Sequence, residues 1–182
     1  MKQESFTDFM HEVIDELRQE ERFSTAHIYK YALAAVTDFV GGGEIFFGAL
    51  TRCWLKRFQV YLEDLQRSYN TISTYVRALR AVYNRAVDRG LIAGEYRLFA
   101  GMKTGVSSER KLAVSAEQMN SLLDEQLRSR LSWDVCEAQD TLALMVLLQG
   151  MPYTDLVHLH KGDLNGNLLI CHRRKTGTEL CV

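Results

Sequence analysis

The sequence predicts a mainly α protein, in which a four-helix bundle is followed by a smaller α+β region of helices and a β-hairpin. Proline occurs once in 182 residues, which favours long uninterrupted helices because proline breaks a helix interior. Apolar residues recur at helical spacing in four segments before residue 90, whereas strand-like alternation begins only after Gly162. Apolar residues make up 47% of the chain and charged residues 25%, as in an ordinary soluble protein.

Three predicted helices precede the most basic part of the chain. They cover about residues 4–21, 24–40 and 51–67, and the glycine-rich stretch GGGE separates the second from the third. Ser24 or Thr25 is expected to start the second helix, and Thr51 to cap the third. At helical spacing, the expected core residues are Phe6, Phe9, Val13, Ile14, Leu17, Ile28, Ala32, Ala35, Phe39, Trp54 or Leu55, Phe58, Tyr61 or Leu62, and Leu65.

The fourth predicted helix, residues 70–90, has two different faces. Asn70 or Thr71 can cap its start, and Gly90 supplies the left-handed residue that commonly ends a helix. Residues 67–90 hold five arginines against a single aspartate, which gives a local charge of +4. The apolar stripe comprises Ile72, Val76, Leu79, Tyr83 and Ala86, and the opposite polar stripe comprises Ser73, Arg77, Arg80 and Asn84.

This basic helix belongs to a chain whose net charge is only −1. Residues 1–22 hold seven acids against three bases, and residues 115–140 hold six acids against two bases. The positive excess lies in residues 67–90 and near the C-terminus. Such segregation is typical of a protein with one anionic partner and one solvated back. The alternative is chance clustering on surface helices.

From residue 100 the sequence changes character. Residues 100–111 contain glycines, serines and bases without periodicity, so we expect an interdomain linker there. The predicted domains are therefore residues 1–99 and residues 112–182.

The second predicted domain combines three helices with a hairpin. A capping box of Ser115 and Gln118 opens the first helix, which extends to about residue 127. The next helix covers residues 133–149, and Pro152 opens a short helix that ends near residue 159. The hairpin breaks at residues 175–177. Because a lone hairpin leaves an open sheet edge, we expect this domain to be truncated.

No pattern in the sequence indicates a metal or another cofactor. The four cysteines are scattered, whereas zinc ligands normally come in closely spaced pairs, so we expect free buried thiols. His158 and His160 diverge by about 200° on a helix and cannot share a metal. The longest wholly apolar run, residues 142–148, is too short to span a bilayer, and the N-terminus lacks a secretory signal. We therefore expect a cytoplasmic protein without membrane contact.

Four motifs stand in order along the chain: STAHIYKYALAAVTDF, NTISTYVRALRAVYNRAVDRGLI, GMPYTDLVHLHKGDL and RRKTGTEL. In this order and spacing they resemble the tyrosine recombinase (phage integrase) family, and in particular the integrases of Bacteroides-type mobile elements. The resemblance covers essentially the whole chain. It implies a SAM-like core-binding domain over residues 1–99 and the beginning of an α+β catalytic domain over residues 112–182, which clamp DNA from opposite sides.

The resemblance also implies that double-stranded DNA is the partner, in the bacterial cytoplasm near the nucleoid, with self-association into tetramers in the intact family. Arginine suits this role because it can bind a phosphate bidentately or read guanine. Arg110 and Lys111 are expected to follow the DNA backbone, the alternative being solvated linker charge. The other implied DNA contacts are Thr25, His27, Lys30, Ser73, Arg77, Arg80, Asn84 and Arg173.

In the family, a tyrosine attacks phosphorus to leave a 3′-phosphotyrosyl link, arginines stabilise the charge, and a hairpin lysine protonates the leaving 5′-oxygen. Lys175 matches that lysine, the alternative being an ordinary turn residue. In GMPYTDL, Pro152 stands where the family carries its first arginine, and Gln149 holds the other place where relatives carry it. Either Arg173 or Arg174 substitutes, or the protein is impaired.

The nucleophile and the remaining catalytic residues are expected beyond residue 182, and Tyr153 is expected to pack against the fold. We therefore interpret the chain as the DNA-binding portion of a site-specific recombinase that integrates or excises DNA in its intact form. The 182-residue chain itself is expected to be inactive in strand cleavage. Two alternatives stay open: a degenerate, non-catalytic relative acting as a DNA-binding regulator, and a helical protein–protein module.

Overall fold

The computed structural model describes residues 4–108, 114–122, 124 and 128–182. Contacts between residues divide the chain into two units, Met1–Glu109 and Arg110–Val182. The described residues form mainly helices, together with a small three-stranded sheet in the second unit. The prediction of a mainly α protein is therefore confirmed, whereas the predicted domain boundaries stay predictions.

The first unit is a set of helices that pack on one another. The helix α1 packs on α2 and α4, and α4 also contacts α2 and α3. An isolated bridge between Ser5 and Phe46 ties the start of α1 to the loop after α2. In chain order the elements are α1 (Phe6–Gln19), α2 (Phe23–Phe39), a 3₁₀ helix (Phe47–Ala49), α3 (Arg52–Asp64) and α4 (Tyr69–Asp88).

Side-chain caps define where three of these helices begin, and at the start of α1 the Ser5 hydroxyl accepts a hydrogen bond from the Asp8 amide at 3.1 Å. The Thr51 hydroxyl accepts a hydrogen bond from the Trp54 amide at 3.2 Å, as predicted for α3. In α4 the cap is Ser68, which accepts from the backbone of Thr71 at 3.2 Å, so the expectation of Asn70 or Thr71 was wrong. The end of α4 was predicted correctly, since the residue after its last turn, Gly90, has φ +69°.

The start and the buried face of α2 differ from the prediction. The helix begins at Phe23, just before the expected start at Ser24 or Thr25, and has no side-chain cap. The expected core residue Ile28 is 39% exposed, whereas Leu33 and Val36 are buried. Apolar residues occur on several sides of α2, so helical spacing alone does not identify its core face. Packing against α1 and α4 selects that face.

The predicted core faces of α1 and α4 are buried as expected. In α3, Leu55, Phe58 and Leu62 are buried, and Phe39 of α2 packs its ring edge-on to Trp54 at 5.3 Å between centroids. Leu65 is 48% exposed because α3 ends at Asp64, before the predicted end near residue 67.

The chain that follows α4 stays attached to the first unit beyond residue 100. Met102 is buried, and the Lys103 amide donates to the Gln59 side chain at 2.9 Å while its ammonium lies 2.8 Å from Glu63. Further along, Asn70 of α4 donates to the Ser107 carbonyl and accepts from the Ser107 amide. Most of the segment predicted as a linker is thus held on α3 and α4 by contacts that leave no periodic trace in a sequence.

We expect trypsin to cleave the native chain after Arg110 or Lys111 before it cleaves after Lys103. Proteolysis requires local opening, and Lys103 is fastened through Gln59 and Glu63, whereas the boundary between the two units falls at residues 109–110. Mass spectrometry of the first fragments tests this order. Replacing both anchors by alanine should bring cleavage after Lys103 forward. An initial cut there in the unmodified chain would contradict the expectation.

The second unit combines short helices with a sheet. The sheet is antiparallel, in the order β1–β2–β3, and β2 and β3 form the hairpin that the sequence predicted, with Cys171 opposite Leu180. The pairing of β1 with β2 was not predicted, because β1 is only two residues long. The elements are α5 (Ala116–Leu122), α6 (Trp133–Leu147), α7 (Tyr153–Leu156), a 3₁₀ helix (Lys161–Asp163), β1 (Leu164–Asn165), β2 (Leu168–His172) and β3 (Glu179–Cys181).

Two helix starts in the second unit were predicted well. Ser115 and Gln118 exchange hydrogen bonds as a capping box at the start of α5. The predicted end of that helix near residue 127 lies outside the described residues. Pro152 directly precedes α7, which ends after one turn at Leu156 and not near residue 159.

The burial of the cysteines and of Tyr153 corrects two expectations. Among the described residues, Cys171 is buried, Cys136 is half-buried, and Cys53 and Cys181 are exposed, so the thiols are free but mostly not buried. Burial raises the pKa of the Cys171 thiol, and nearby aspartates add to the shift. Tyr153 is 57% exposed and does not pack as expected.

Candidate nucleic-acid interface

The candidate interface is the exposed face of α4. The side chains of Arg77, Arg80 and Asn84 are exposed there, as helical spacing predicted. Arg77 donates one weak hydrogen bond to Thr74, one turn earlier, at 3.3 Å. Within the described part of the chain, no carboxylate lies within 4.0 Å of the guanidinium groups of Arg77 or Arg80. Both guanidinium groups therefore keep free donors.

The next two arginines of this region share one carboxylate of α1. Arg89 Nη2 lies 2.7 Å from Glu16 Oε2, and Arg85 Nη1 lies 3.6 Å from the same oxygen. The guanidinium of Arg89 also stands 5.3 Å from the centre of the Phe9 ring. The hydrogen bond from Arg89 lowers the pKa of Glu16, and the charges of Arg89 and Arg85 add to this effect. The arginines of this region thus differ: among the described residues, Arg85 and Arg89 are ion-paired, whereas Arg77 and Arg80 are not.

Ser73, which was predicted as a DNA contact, does not belong to the exposed face. The residue is fully buried, and its hydroxyl donates to the Gly105 carbonyl at 2.5 Å. A Cβ at Gly105 would lie 3.1 Å from the Tyr69 hydroxyl, so the loop approaches α4 closely. Ser73 therefore fixes the loop after α4. The polar stripe of the sequence could not reveal that this loop covers one of its members.

The candidates on α2 form a separate patch. Thr25 is half-buried, while His27 and Lys30 are exposed. The His27 ring meets the Tyr31 ring edge-on, with 4.6 Å between centroids. In the described residues, no hydrogen bond or ion pair joins this patch to Arg77, Arg80 or Asn84. The structure therefore presents two exposed patches, on helices that pack together through other faces.

A third set of candidates lies outside the first unit or outside the described residues. Arg110 and Lys111 are not among the described residues. Lys175 is exposed in the turn between β2 and β3. Arg173 Nε lies 3.7 Å from Asp155 Oδ2, and the Arg174 amide donates to Asp155 Oδ1 at 3.1 Å.

Asp155 connects α7 to the hairpin that carries Lys175. Its side chain is only 6% exposed, so its carboxylate is satisfied by the hairpin and not by water. Gly177 closes the turn with φ +67° and donates to the Arg173 carbonyl at 2.7 Å. Arg173 is therefore committed in part to Asp155, whereas Lys175 remains at the exposed turn.

Sequence reasoning missed one cation beside the α4 face. Arg97 lines a cleft of about 300 Å³ together with Arg80 and Asn84. The isolated position of Arg97 in an irregular segment gave no periodic signal. Only the fold brings its side chain next to α4.

Two further observations on the described residues concern metal binding and membrane-spanning helices. No group of three or more His, Cys, Asp or Glu side chains there could hold a metal ion. No helix in that part of the chain combines the length and the apolar content that crossing a membrane requires.

The comparison with known families bears on the same region. The model of the phage integrase SAM-like domain matches residues 5–99, slightly more than half of the 182 residues. This range contains α1 to α4 and both patches of the first unit. No curated protein and no solved structure matches the chain. The match supports the resemblance to tyrosine recombinases at the level of the family, and the chain belongs to the phage integrase SAM-like domain family.

Proposed function

We propose that this chain is the DNA-binding portion of a site-specific tyrosine recombinase and that it binds double-stranded DNA through its first unit. The observation that carries the proposal is that two arginines in and next to α4 are paired with an acid, whereas two others are not paired within the described residues. Arg85 and Arg89 are held by Glu16, whereas Arg77 and Arg80 are exposed and have no ion-pair partner among the described residues. Guanidinium groups with free donors suit phosphate oxygens, which accept most protein–DNA hydrogen bonds.

The α2 patch is proposed as a second DNA contact. Lys30 supplies a positive charge, and Thr25 and His27 supply hydrogen-bonding groups on the same helix. Arg110 and Lys111, which lie next to the boundary between the two units along the sequence, are proposed to follow the DNA backbone. The family match supports a DNA-associated role for the matched region.

For the second unit we propose a role in the chemistry of the intact recombinase. Attack of a tyrosine hydroxyl on phosphorus forms the 3′-phosphotyrosyl bond and breaks the bond to the 5′-oxygen, which must then take up a proton. Lys175 is the proposed proton donor, and its exposed place at the turn is compatible with reaching DNA. No tyrosine of this chain is proposed as the nucleophile.

A second candidate function is that of a non-catalytic DNA-binding regulator related to recombinases. It is favoured by Gln149 and Pro152, which occupy the two places where a first catalytic arginine is expected. The DNA-binding surface would be the same in both cases. Assembly as a tetramer on DNA, a mobile element of Bacteroides-type bacteria as the source, and a cytoplasmic, nucleoid-associated location are part of the leading proposal.

The salt dependence of duplex binding tests the proposed function. We expect the 182-residue chain to bind a fluorescently labelled 30-base-pair duplex, with log affinity falling linearly against log salt concentration. Each phosphate contact contributes about −0.9 to that slope through counterion release. Fluorescence anisotropy between 50 and 300 mM KCl measures it. No binding at 50 mM KCl, or a flat salt dependence, would overturn the proposal and favour a protein–protein module.

A further inference from the structure

A cleft of about 300 Å³ opens beside α4, where the chain turns back after the helix. Two guanidinium groups line it, one from the helix and one from the turn, and one exposed carboxylate lines it as well. The ionised side chains of the lining thus carry one excess positive charge. The residues concerned are Arg80, Tyr83, Asn84, Glu95, Arg97 and Phe99.

The turn that closes the cleft is held firmly in place. The Tyr83 hydroxyl accepts a hydrogen bond from the Glu95 amide at 2.9 Å, and its ring meets the Phe99 ring edge-on at 5.8 Å. On the other side, Arg52 donates to the Tyr96 carbonyl at 3.1 Å, and Leu98 is buried. The cleft is therefore preformed, and a ligand does not have to order it.

The backbone of Arg97 adds an independent observation. Arg97 has φ +57°, in the left-handed region that favours glycine. The other non-glycine residues with positive φ, among those described, are Glu21, Gln66 and Gln149, and each lies just beyond the end of a helix, where this conformation is usual. Arg97 instead begins a turn closed by a hydrogen bond from the Ala100 amide. An arginine therefore stands where glycine would fit the backbone better.

We propose that this cleft binds one backbone phosphate of duplex DNA, clamped between the guanidinium groups of Arg80 and Arg97, with the Asn84 amide as a further donor. The inference rests on the proposed function. It adds Arg97 as a DNA-binding residue and the cleft as the place where the phosphate binds. Neither guanidinium has a carboxylate within ion-pair distance in the described structure, although Glu95 lies at the same cleft. A strained backbone lowers the stability of the fold, and such strain is often found at residues that bind a ligand.

The lining favours a phosphate over a nucleobase. Stacking of a base requires an open aromatic face, whereas Tyr83 is only 7% exposed and Phe99 is half-buried. Apart from the Glu95 carboxylate, the polar groups that remain accessible are the two guanidinium groups and the Asn84 amide, whose donors suit the oxygens of a phosphodiester.

Replacing Arg97 by glycine separates binding from stability. The variant removes the cation and also relieves the left-handed backbone, so the thermal midpoint should not fall, while duplex affinity at 150 mM KCl should fall roughly five- to tenfold. Gln66→Gly is the matched control, since it relieves the same kind of backbone at a position outside the cleft. It should leave duplex affinity unchanged.

The combination of Arg80→Ala with Arg97→Gly tests whether both arginines share one phosphate. A shared phosphate lowers the magnitude of the salt slope by about 0.9 in the double variant, whereas two separate phosphates would lower it by about 1.8. Unchanged affinity in Arg97→Gly, or a decrease near 1.8 in the double variant, overturns the clamp while duplex binding by the unmodified chain still stands. Failure of the unmodified chain to bind DNA overturns the proposed function and the clamp together.

Discussion

Replacing Arg77 and Arg80 together by alanine is expected to weaken duplex binding strongly and to leave the fold intact. Both side chains are exposed, and neither has an ion-pair partner in the described residues, so their removal costs the first unit little stability. Each phosphate contact that is lost lowers the magnitude of the salt slope by about 0.9. Arg97 would still contact the phosphate that it is proposed to share with Arg80. The magnitude of the salt slope should therefore fall by between about 0.9 and about 1.8.

The end of α4 and the residue after it offer a control with the same change in charge. Arg85→Ala with Arg89→Ala also removes two positive charges from the C-terminal half of this region, but both side chains are engaged with Glu16. This pair should leave the salt slope unchanged and lower the thermal midpoint modestly, since partly exposed ion pairs contribute little. Anisotropy titrations at four salt concentrations compare the two double variants. Equal slopes in both would mean that net charge, and not the Arg77–Arg80 face, governs binding.

The parts of the fold that were predictable from the sequence are those governed by short-range periodicity. The apolar stripe of α4, from Ile72 to Ala86, is buried as its spacing indicates. The left-handed Gly90 and the capping box at Ser115 depend only on neighbours within one helical turn, and both were predicted correctly. Local physics therefore identified the helices and the exposed positions of Arg77 and Arg80.

Contacts between distant residues account for what the sequence did not reveal about the site. Glu16 and Arg89 are 73 positions apart, so a count of charges along residues 67–90 could not show that Arg85 and Arg89 are engaged with an acid of α1. The hydroxyl of Ser73 is covered by a loop 32 positions away. Arg97 lies in irregular chain, and only the turn after α4 brings it beside Arg80. The identity of the α4 face was therefore predictable, whereas its accessible charge was not.

Leu79→Ala is expected to destabilise the first unit by about 2–5 kcal/mol. A change at its neighbour Arg80 is expected instead to affect DNA binding and not stability. Leu79 is fully buried in the core that joins α1 to α4, and truncation there leaves a cavity that close-packed helices cannot fill. For a domain of about 100 residues, 1 kcal/mol corresponds to roughly 4–8 °C. The thermal midpoint should therefore fall by at least about 8 °C, as measured by circular dichroism.

Leu65→Ala provides the matched control, because the same atoms are removed from a side chain that is 48% exposed beyond the end of α3. Its midpoint should change by less than about 4 °C, since surface substitutions usually stay within about 0.5 kcal/mol. Well below its midpoint, Leu79→Ala should bind DNA with the unmodified salt slope, because Arg77 and Arg80 are untouched. Adjacent positions on α4 would then affect different properties, Leu79 the stability of the fold and Arg80 the binding of phosphate. A reduced salt slope in folded Leu79→Ala would contradict this division of the helix into two faces.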